Sequence, residues 1–80
     1  MNGPYLVSSV RITLNGDVFL DIGAAAPEQT MTIFIPSTSA SQFSPNTFRL
    51  KWIFVRGVIA DNEGSPQIVV TMPSQIRLRG

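Results

Sequence analysis

The chain has 80 residues, of which 44% are hydrophobic, and its six basic and five acidic side chains give a net charge of +1. This length predicts one domain, residues 1–80, near the small end of what a single hydrophobic core can stabilise. Because cysteine and histidine are absent, a disulfide framework, a thiolate metal site and catalysis by a histidine base are excluded.

Neither a membrane segment nor an export signal is visible in the sequence. No apolar run approaches the roughly 18 residues that a membrane helix needs, and residues 1–5 lack the basic start and apolar core of a secretory signal. We expect no membrane partner and a cytoplasmic location, while a mature exported protein without its signal would have the same pattern. Since serines and carboxylates form no catalytic or metal-binding constellation, we expect no enzyme activity, no cofactor and no metal.

The first predicted strand covers residues 6–14. Apolar and polar side chains alternate along it, with Val10, Ile12 and Leu14 on one face, which favours a half-buried strand. The Asn-Gly pair at residues 15–16 follows. This pair is typical of a type I′ hairpin turn, in which both central residues need positive φ.

The second and third strands are predicted at residues 17–22 and 30–35. The stretch between them, residues 24–29, contains a proline and is interpreted as a loop. Pro36 ends the third strand, because the residue before a proline is restricted and the proline has no N–H.

Residues 37–46 are rich in serine and small side chains. They can form one short helical turn around residues 40–43, but the proline at position 45 prevents a long helix. Phe43 and Phe48 are candidates for apolar side chains that close one end of the core.

The last two predicted strands form a hairpin. Side chains alternate along residues 52–59, a Gly-Ser-Pro turn occupies residues 64–66, and a β-branched strand covers residues 67–71 before Pro73. Five short strands with regular turn signals predict an all-β fold with at most one short helix, between strands three and four.

Three stretches of this chain resemble the strands of small bacterial oligonucleotide/oligosaccharide-binding (OB) barrels. Residues 16–23 (GDVFLDIG) resemble the Gly-x-Ile-Phe-Leu-Asn-Phe-Gly second strand, and residues 27–35 (PEQTMTIFI) resemble the Pro-x-x-x-Phe-Thr-x-x-Ile third strand. Residues 51–76, with a glycine in the first strand, a Gly-x-Pro turn and a Gln-Ile-Val-Val strand, resemble the last hairpin. The resemblance implies a five-stranded OB-like barrel.

The first strand departs from that family. Members usually begin with a longer strand whose glycine lets it pair with both the second and the fourth strand, whereas here few residues precede Val10 and they include Pro4. Whether the barrel closes fully is therefore left open. An unclosed barrel would leave the fourth strand with a free edge, at which another chain could pair.

The resemblance also implies a ligand surface, because OB folds bind ligands across strands two and three and against the first and last hairpin loops. Aromatic rings there stack on bases and arginine attracts phosphate. From the residues alone a core position is favoured for Phe19 and Phe34, because phenylalanine in a short apolar strand is more often core, and the strand patterns leave open which face they occupy. The implied contacts are Arg11, Phe19, Thr32 and Phe34 on the sheet, and Asn62 and Ser65 in the last loop.

Basic residues also cluster near the fourth strand, where Lys51 and Arg56 are further candidate nucleic-acid contacts. Ordinary solubilising charges are the alternative interpretation. The family pattern places Ile53, Val55 and Ile59 inward. The outward positions are then Trp52, Phe54, Arg56 and Val58.

An exposed pair of large aromatic residues usually marks a binding site or an interface. The outward residues of the fourth strand are interpreted either as a stacking platform or as a self-association surface, and the strand's missing partner favours self-association. For the whole chain we expect a non-catalytic OB-like domain that binds single-stranded DNA or RNA weakly and without strong sequence preference. The alternative is a self-associating structural or protein-interaction module that has lost nucleic-acid binding.

Overall fold

The computed structural model of the protein describes residues 1–23, 29–62 and 64–79, with only the backbone described at position 62. The predicted loop at residues 24–29 falls outside the described residues except for its last position. The elements in chain order are β1 (Asn2–Ile12), β2 (Val18–Ile22), β3 (Met31–Ile35), α1 (Ser37–Ala40), a 3-10 helix (Pro45–Phe48), β4 (Trp52–Val55), β5 (Ile59–Asn62), β6 (Ser65–Val69), a second 3-10 helix (Pro73–Gln75) and β7 (Ile76–Leu78).

The strands form one sheet in the order β5-β6-β3-β2-β1-β4-β7. All neighbours pair antiparallel except β3 and β6, which are parallel. The all-β class is confirmed, and β2 and β3 begin within one residue of their predicted positions. The prediction of five strands is wrong, because the described residues form seven strands. The sheet they form is not closed, which settles the question of closure that the sequence left open.

The fourth predicted strand is divided into β4 and β5 by a break at residues 56–58. A Cβ on Gly57 would lie 2.7 Å from Cγ2 of the buried Ile68, so the backbone approaches this side chain more closely than other residues permit. The break resets the alternation of side chains. Ile53 and Val55 are fully buried as predicted, whereas the inward prediction for Ile59 is wrong, since 55% of it is exposed.

The first strand is longer than expected, and it changes partner along its length. β1 has 11 residues, and its first half pairs with β4 while its second half pairs with β2. An irregularity between Val7 and Ser9 marks the change, as bulges commonly do where a strand bends. Consequently β4 lies between β1 and β7, and the predicted free edge on the fourth strand does not exist.

The turn between β1 and β2 is not the predicted type I′ turn, because only Gly16 has positive φ (87°) and Asn15 does not. The backbone N–H of Gly16 donates to the Thr13 carbonyl, and that of Thr13 donates to the Asp17 carbonyl. This is a three-residue connection that ends in a glycine bulge. Leu14, at its tip, is fully exposed.

The core lies on the inner side of the sheet, where strand alternation collects the branched aliphatic side chains. Phe43, which follows α1, and Phe48, the last residue of the first 3-10 helix, pack against this core, as predicted. The residues with no exposed surface include Val7, Leu20, Ile33, Ile35, Ile53, Val55, Ile68 and Val70.

Helices are few and short, as the sequence predicts. α1 ends at Ala40, where the predicted helical turn begins, and two 3-10 helices that were not predicted start at Pro45 and Pro73. Of the helices in the described ranges, none has the length and apolar character that crossing a membrane requires.

Candidate functional site

The side of β1, β2 and β3 that faces away from the core, here called the outer face, carries aromatic and polar side chains in register. On β2, Phe19 and Asp21 alternate with the buried inward residues. Cross-strand pairing sets Arg11 opposite Phe19 and Phe19 opposite Phe34. These three side chains, here called the aromatic row, therefore lie side by side across three strands.

The members of the aromatic row contact one another. The ring centroids of Phe19 and Phe34 are 5.1 Å apart with an interplanar angle of 44°, and Cζ of Arg11 lies 4.9 Å from the Phe19 centroid. Both phenylalanines are half-buried and lie outside the hydrophobic core. The core interpretation of these two residues is wrong, and the outer-face placement holds.

A second row of the outer face is centred on Asp21, which has no exposed surface. Its Oδ1 accepts a hydrogen bond from Nη2 of Arg11 at 2.7 Å, and its Oδ2 accepts one from Nε at 2.9 Å. The hydroxyl of Ser9 also donates to Oδ2. The buried carboxylate therefore has a bidentate cation and a hydroxyl as partners, which compensate for its loss of water.

The guanidinium of Arg11 is charged, and its two hydrogen bonds to Asp21 hold it in one orientation. Hydrogen bonding to Asp21, reinforced by the charge of that carboxylate, raises the pKa of Arg11 above its ordinary value against the opposing effect of burial. One edge of the guanidinium, formed by Nε and Nη2, is occupied by Asp21, while 44% of the side chain is exposed beside Phe19. Arg11 therefore presents a flat surface next to the rings, and its charge is balanced within the protein.

A pocket of about 220 Å³ lies beside the aromatic row. It combines four of the predicted contacts with residues that the sequence reasoning did not select. Phe34 does not line the pocket, but its ring contacts the ring of Phe19, which does. The lining residues are Arg11, Phe19, Gln29, Thr32, Ser65, Pro66 and Gln67.

Gln29 contributes the polar end of this pocket. Its Nε2 donates a long hydrogen bond, 3.4 Å, to Oγ1 of Thr32. Its Oε1 is buried and accepts no hydrogen bond from any part of the chain that the structure describes. A buried acceptor without a donor is unfavourable, so the pocket contains an acceptor that a bound molecule could use.

Ser65 reaches the pocket from the start of β6, and register places Asn62 opposite it in the β5–β6 hairpin. The Asn62 side chain is outside what the structure describes. Thus Arg11, Phe19 and Thr32 from the sheet meet the last hairpin, where the family resemblance placed the ligand.

Lys51 and Arg56 are not part of this site. Both are exposed and flank β4, and neither lines the pocket. The backbone N–H of Arg56 donates to the Gln75 carbonyl, which fixes this position beside the second 3-10 helix. Arg11 therefore lines the pocket without Lys51 and Arg56, and the nucleic-acid contacts proposed for these two residues stay a prediction.

The predicted outward residues of the fourth strand differ among themselves. Trp52 is 47% exposed and Val58 is 83% exposed. Phe54 is only half-exposed to solvent, because the guanidinium of Arg77 on β7 lies over its ring, with Cζ 5.1 Å from the centroid. The expected exposed pair of aromatic side chains is reduced to Trp52.

Trp52 borders an apolar groove of about 600 Å³. The groove runs between the starts of β1, β3 and β4 and the end of β2. Pro66 lines both this groove and the polar pocket. The groove residues are Pro4, Tyr5, Leu6, Ile22, Gly23, Thr30, Met31, Trp52, Ile59 and Pro66.

Of the residues that the sequence reasoning missed, Asp21 had a signal in the sequence and Gln29 had none. Asp21 lies two positions after Phe19, so period-two alternation puts it on the same face, and the hairpin register sets it opposite Ser9 and diagonal to Arg11. Gln29 directly precedes the third strand, but nothing in its neighbourhood in the sequence marks it. Within the described residues, no group of three or more acidic side chains could hold a metal ion.

Comparison with known protein families, with curated proteins and with solved structures found no match to this chain.

Proposed function

We propose that this protein binds single-stranded nucleic acid on its outer face, without catalysis and without strong sequence preference. The observation that carries the proposal is the aromatic row, in which Arg11, Phe19 and Phe34 contact one another beside a polar pocket. Ring stacking is worth about 1 to 3 kcal/mol per base and tolerates every base, because each base has a π face.

An OB-like fold is part of this proposal. In that fold the ligand surface is the face of strands two and three together with the first and last hairpin loops. Here Phe19 on β2, Thr32 on β3 and Ser65 in the last hairpin line one pocket. The agreement between the family's ligand surface and this pocket supports the proposal, and fold alone would not.

A titration tests the proposal. A labelled single-stranded oligonucleotide and the duplex of the same sequence are titrated at low salt, with fluorescence anisotropy as the readout. We expect the single strand to bind more tightly, since a duplex keeps its bases stacked and paired. If the single strand does not bind, the proposal is wrong.

The matched variants are Phe19→Ala and Phe54→Ala. Both residues are half-buried phenylalanines beside an arginine, but only Phe19 lies on the outer face. Phe19→Ala should weaken binding by about 1 to 3 kcal/mol, and Phe54→Ala should leave it unchanged. Equal losses in the two variants would show that binding does not use the aromatic row.

The second candidate function is self-association of an interaction module. The free edge of the fourth strand no longer supports it, but the exposed Trp52 beside the apolar groove does, since contiguous apolar surface favours contact with a second copy. Sedimentation at tens of micromolar should then give a dimer that Trp52→Glu converts to monomer, because the variant places a charge in the contact. A monomeric native chain would refute this candidate.

A further inference from the structure

The polar pocket has no net charge from its described lining. Arg11 is its single charged lining residue among those described, and the carboxylate of Asp21 pairs with it. The other lining residues are uncharged: a phenylalanine, two amides, two hydroxyls and a proline. A phosphate group in this pocket would therefore meet a cation whose charge is already balanced, and its own desolvation would not be repaid.

The pocket instead suits a flat, uncharged ring. The Phe19 ring and the Arg11 guanidinium form one side of it, and both stack on planar groups. Its volume of about 220 Å³ is below the range typical of sites for drug-sized ligands. A single ring system fits this size, whereas a larger conjugated ligand does not.

The polar end of the pocket calls for a hydrogen-bond donor. Oε1 of Gln29 is a buried acceptor that no described residue satisfies, and the Nε2 of the same amide is directed to Thr32. An N–H on the edge of a planar ring brought into the pocket would supply the missing donor.

We propose that this pocket takes one unpaired nucleobase and recognises an N–H on its Watson–Crick edge through Oε1 of Gln29. This inference rests on the proposed function. Each of the four bases carries at least one N–H on that edge, and pairing in a duplex occupies it. The contact therefore selects unpaired bases over paired ones without preferring one base, since stacking is also indifferent to sequence.

Three probes of equal length separate the base edge from the ring and the backbone. The first is an oligothymidylate, the second has N3-methylthymine at every position, and the third is an abasic oligonucleotide. The methyl group removes the single N–H of the thymine edge while the ring and the phosphates remain. We expect the methylated probe to bind about five- to tenfold more weakly than oligothymidylate, the range of one lost hydrogen bond, and the abasic probe to bind more weakly still.

Gln29→Leu removes the acceptor and keeps the size of the side chain. This variant should bind oligothymidylate and its methylated form equally, whereas a steric effect of the methyl group would persist in it. Gln42→Leu is the matched control, because Gln42 is an exposed glutamine beside Thr71 and does not line the pocket. It should keep the native discrimination. Gln29→Met replaces the leucine variant if that variant does not fold.

Each outcome decides the inference. Equal binding of the methylated and unmethylated probes by the native protein overturns it and leaves nucleic-acid binding intact, as does discrimination that persists in Gln29→Leu. If the abasic probe binds as well as oligothymidylate, the pocket does not take a base. If no probe binds, the proposed function itself fails.

Discussion

The outer face and the fourth strand both combine aromatic and basic residues in the sequence, but in the described part of the folded chain these residues contact one another only on the outer face. On the outer face, Arg11 lies over Phe19 and is held by the buried Asp21. Around β4, Arg56 lies past the end of the strand and makes no ring contact with the residues that are described, while Arg77, from another strand, covers Phe54.

This comparison shows that the presence of aromatic and basic residues in one strand does not by itself bring a cation and rings into contact. A carboxylate on the neighbouring strand fixes the orientation of Arg11, and register then aligns it with two rings. Trp52 has no such support among the described residues, and it borders a groove of apolar side chains. The residue on the neighbouring strand, here Asp21, therefore decides whether a cation and an aromatic ring are held together or an aromatic residue is merely exposed.

The largest expected effect is on stability and compares one residue type in the two regions. Arg11→Ala leaves the carboxylate of Asp21 buried without its cation and should lower the free energy of unfolding by about 3 kcal/mol. Arg56→Ala removes an exposed side chain and should change it by less than about 0.5 kcal/mol. Urea unfolding followed by circular dichroism measures both. If the two variants lose similar amounts of unfolding free energy, Arg11 is no more firmly held on the outer face than Arg56 is beside β4.

A second test concerns the break that gives the fourth-strand region its shape. In Gly57→Ala the new Cβ meets Ile68, which is fully buried, so we expect a loss of about 2 kcal/mol from overpacking. Gly64→Ala is the control, because its Cβ would contact nothing within 4 Å and only its φ of 84° causes strain, about 1 kcal/mol. Thermal unfolding should rank Gly57→Ala as the less stable of the two.

The third test uses Trp52 as a reporter, since it is the one tryptophan of the sequence. Oligonucleotide bound on the outer face should leave its fluorescence nearly unchanged, whereas stacking on a base would quench it. Iodide serves as the positive control, because a side chain 47% exposed is open to a small quencher. Saturable quenching by oligonucleotide would show that the ligand reaches the fourth strand.

The smallest expected effect is that of pH. Hydrogen bonding to Asp21 raises the pKa of Arg11 in the folded state, so the stability that this pair contributes is complete below the unfolded pKa and is lost only as pH rises through the higher folded value. Because arginine loses its proton only far above neutral pH, the contribution should be constant between about pH 6 and 9. A urea midpoint that falls steadily across this range would contradict the assignment.

Much of the sheet could be predicted because its strands have local signals. β2 and β3 are short apolar strands that end just before Gly23 and Pro36, so their bounds follow from local signals, whereas the strand pattern does not decide which way Phe19 and Phe34 point. The family resemblance then grouped Arg11, Phe19 and Phe34 on one face, and the register of the strands sets them side by side there. The aromatic row is the part of the site that could be found in this way.

The remaining features depend on contacts between distant residues. The break in the fourth strand follows from the approach of Gly57 to Ile68, and the pairing of β1 with β4 follows from a bend that no local pattern marks. The polar end of the pocket needs Gln29 beside Thr32 and the β5–β6 hairpin in place. β7 has only three residues, too few for a periodic signal.

The parallel pairing of β3 with β6 also has a consequence for how the chain folds. It joins Thr32 to Gln67, and the β1–β4 pairing joins Asn2 to Val55, so the sheet depends on loop closures that span much of the sequence. High contact order of this kind places folding in the range of roughly milliseconds to seconds. Until β4 and β6 arrive, the β1–β2–β3 meander has nothing to cover Leu20 and Ile33, and aggregation competes with folding during that interval.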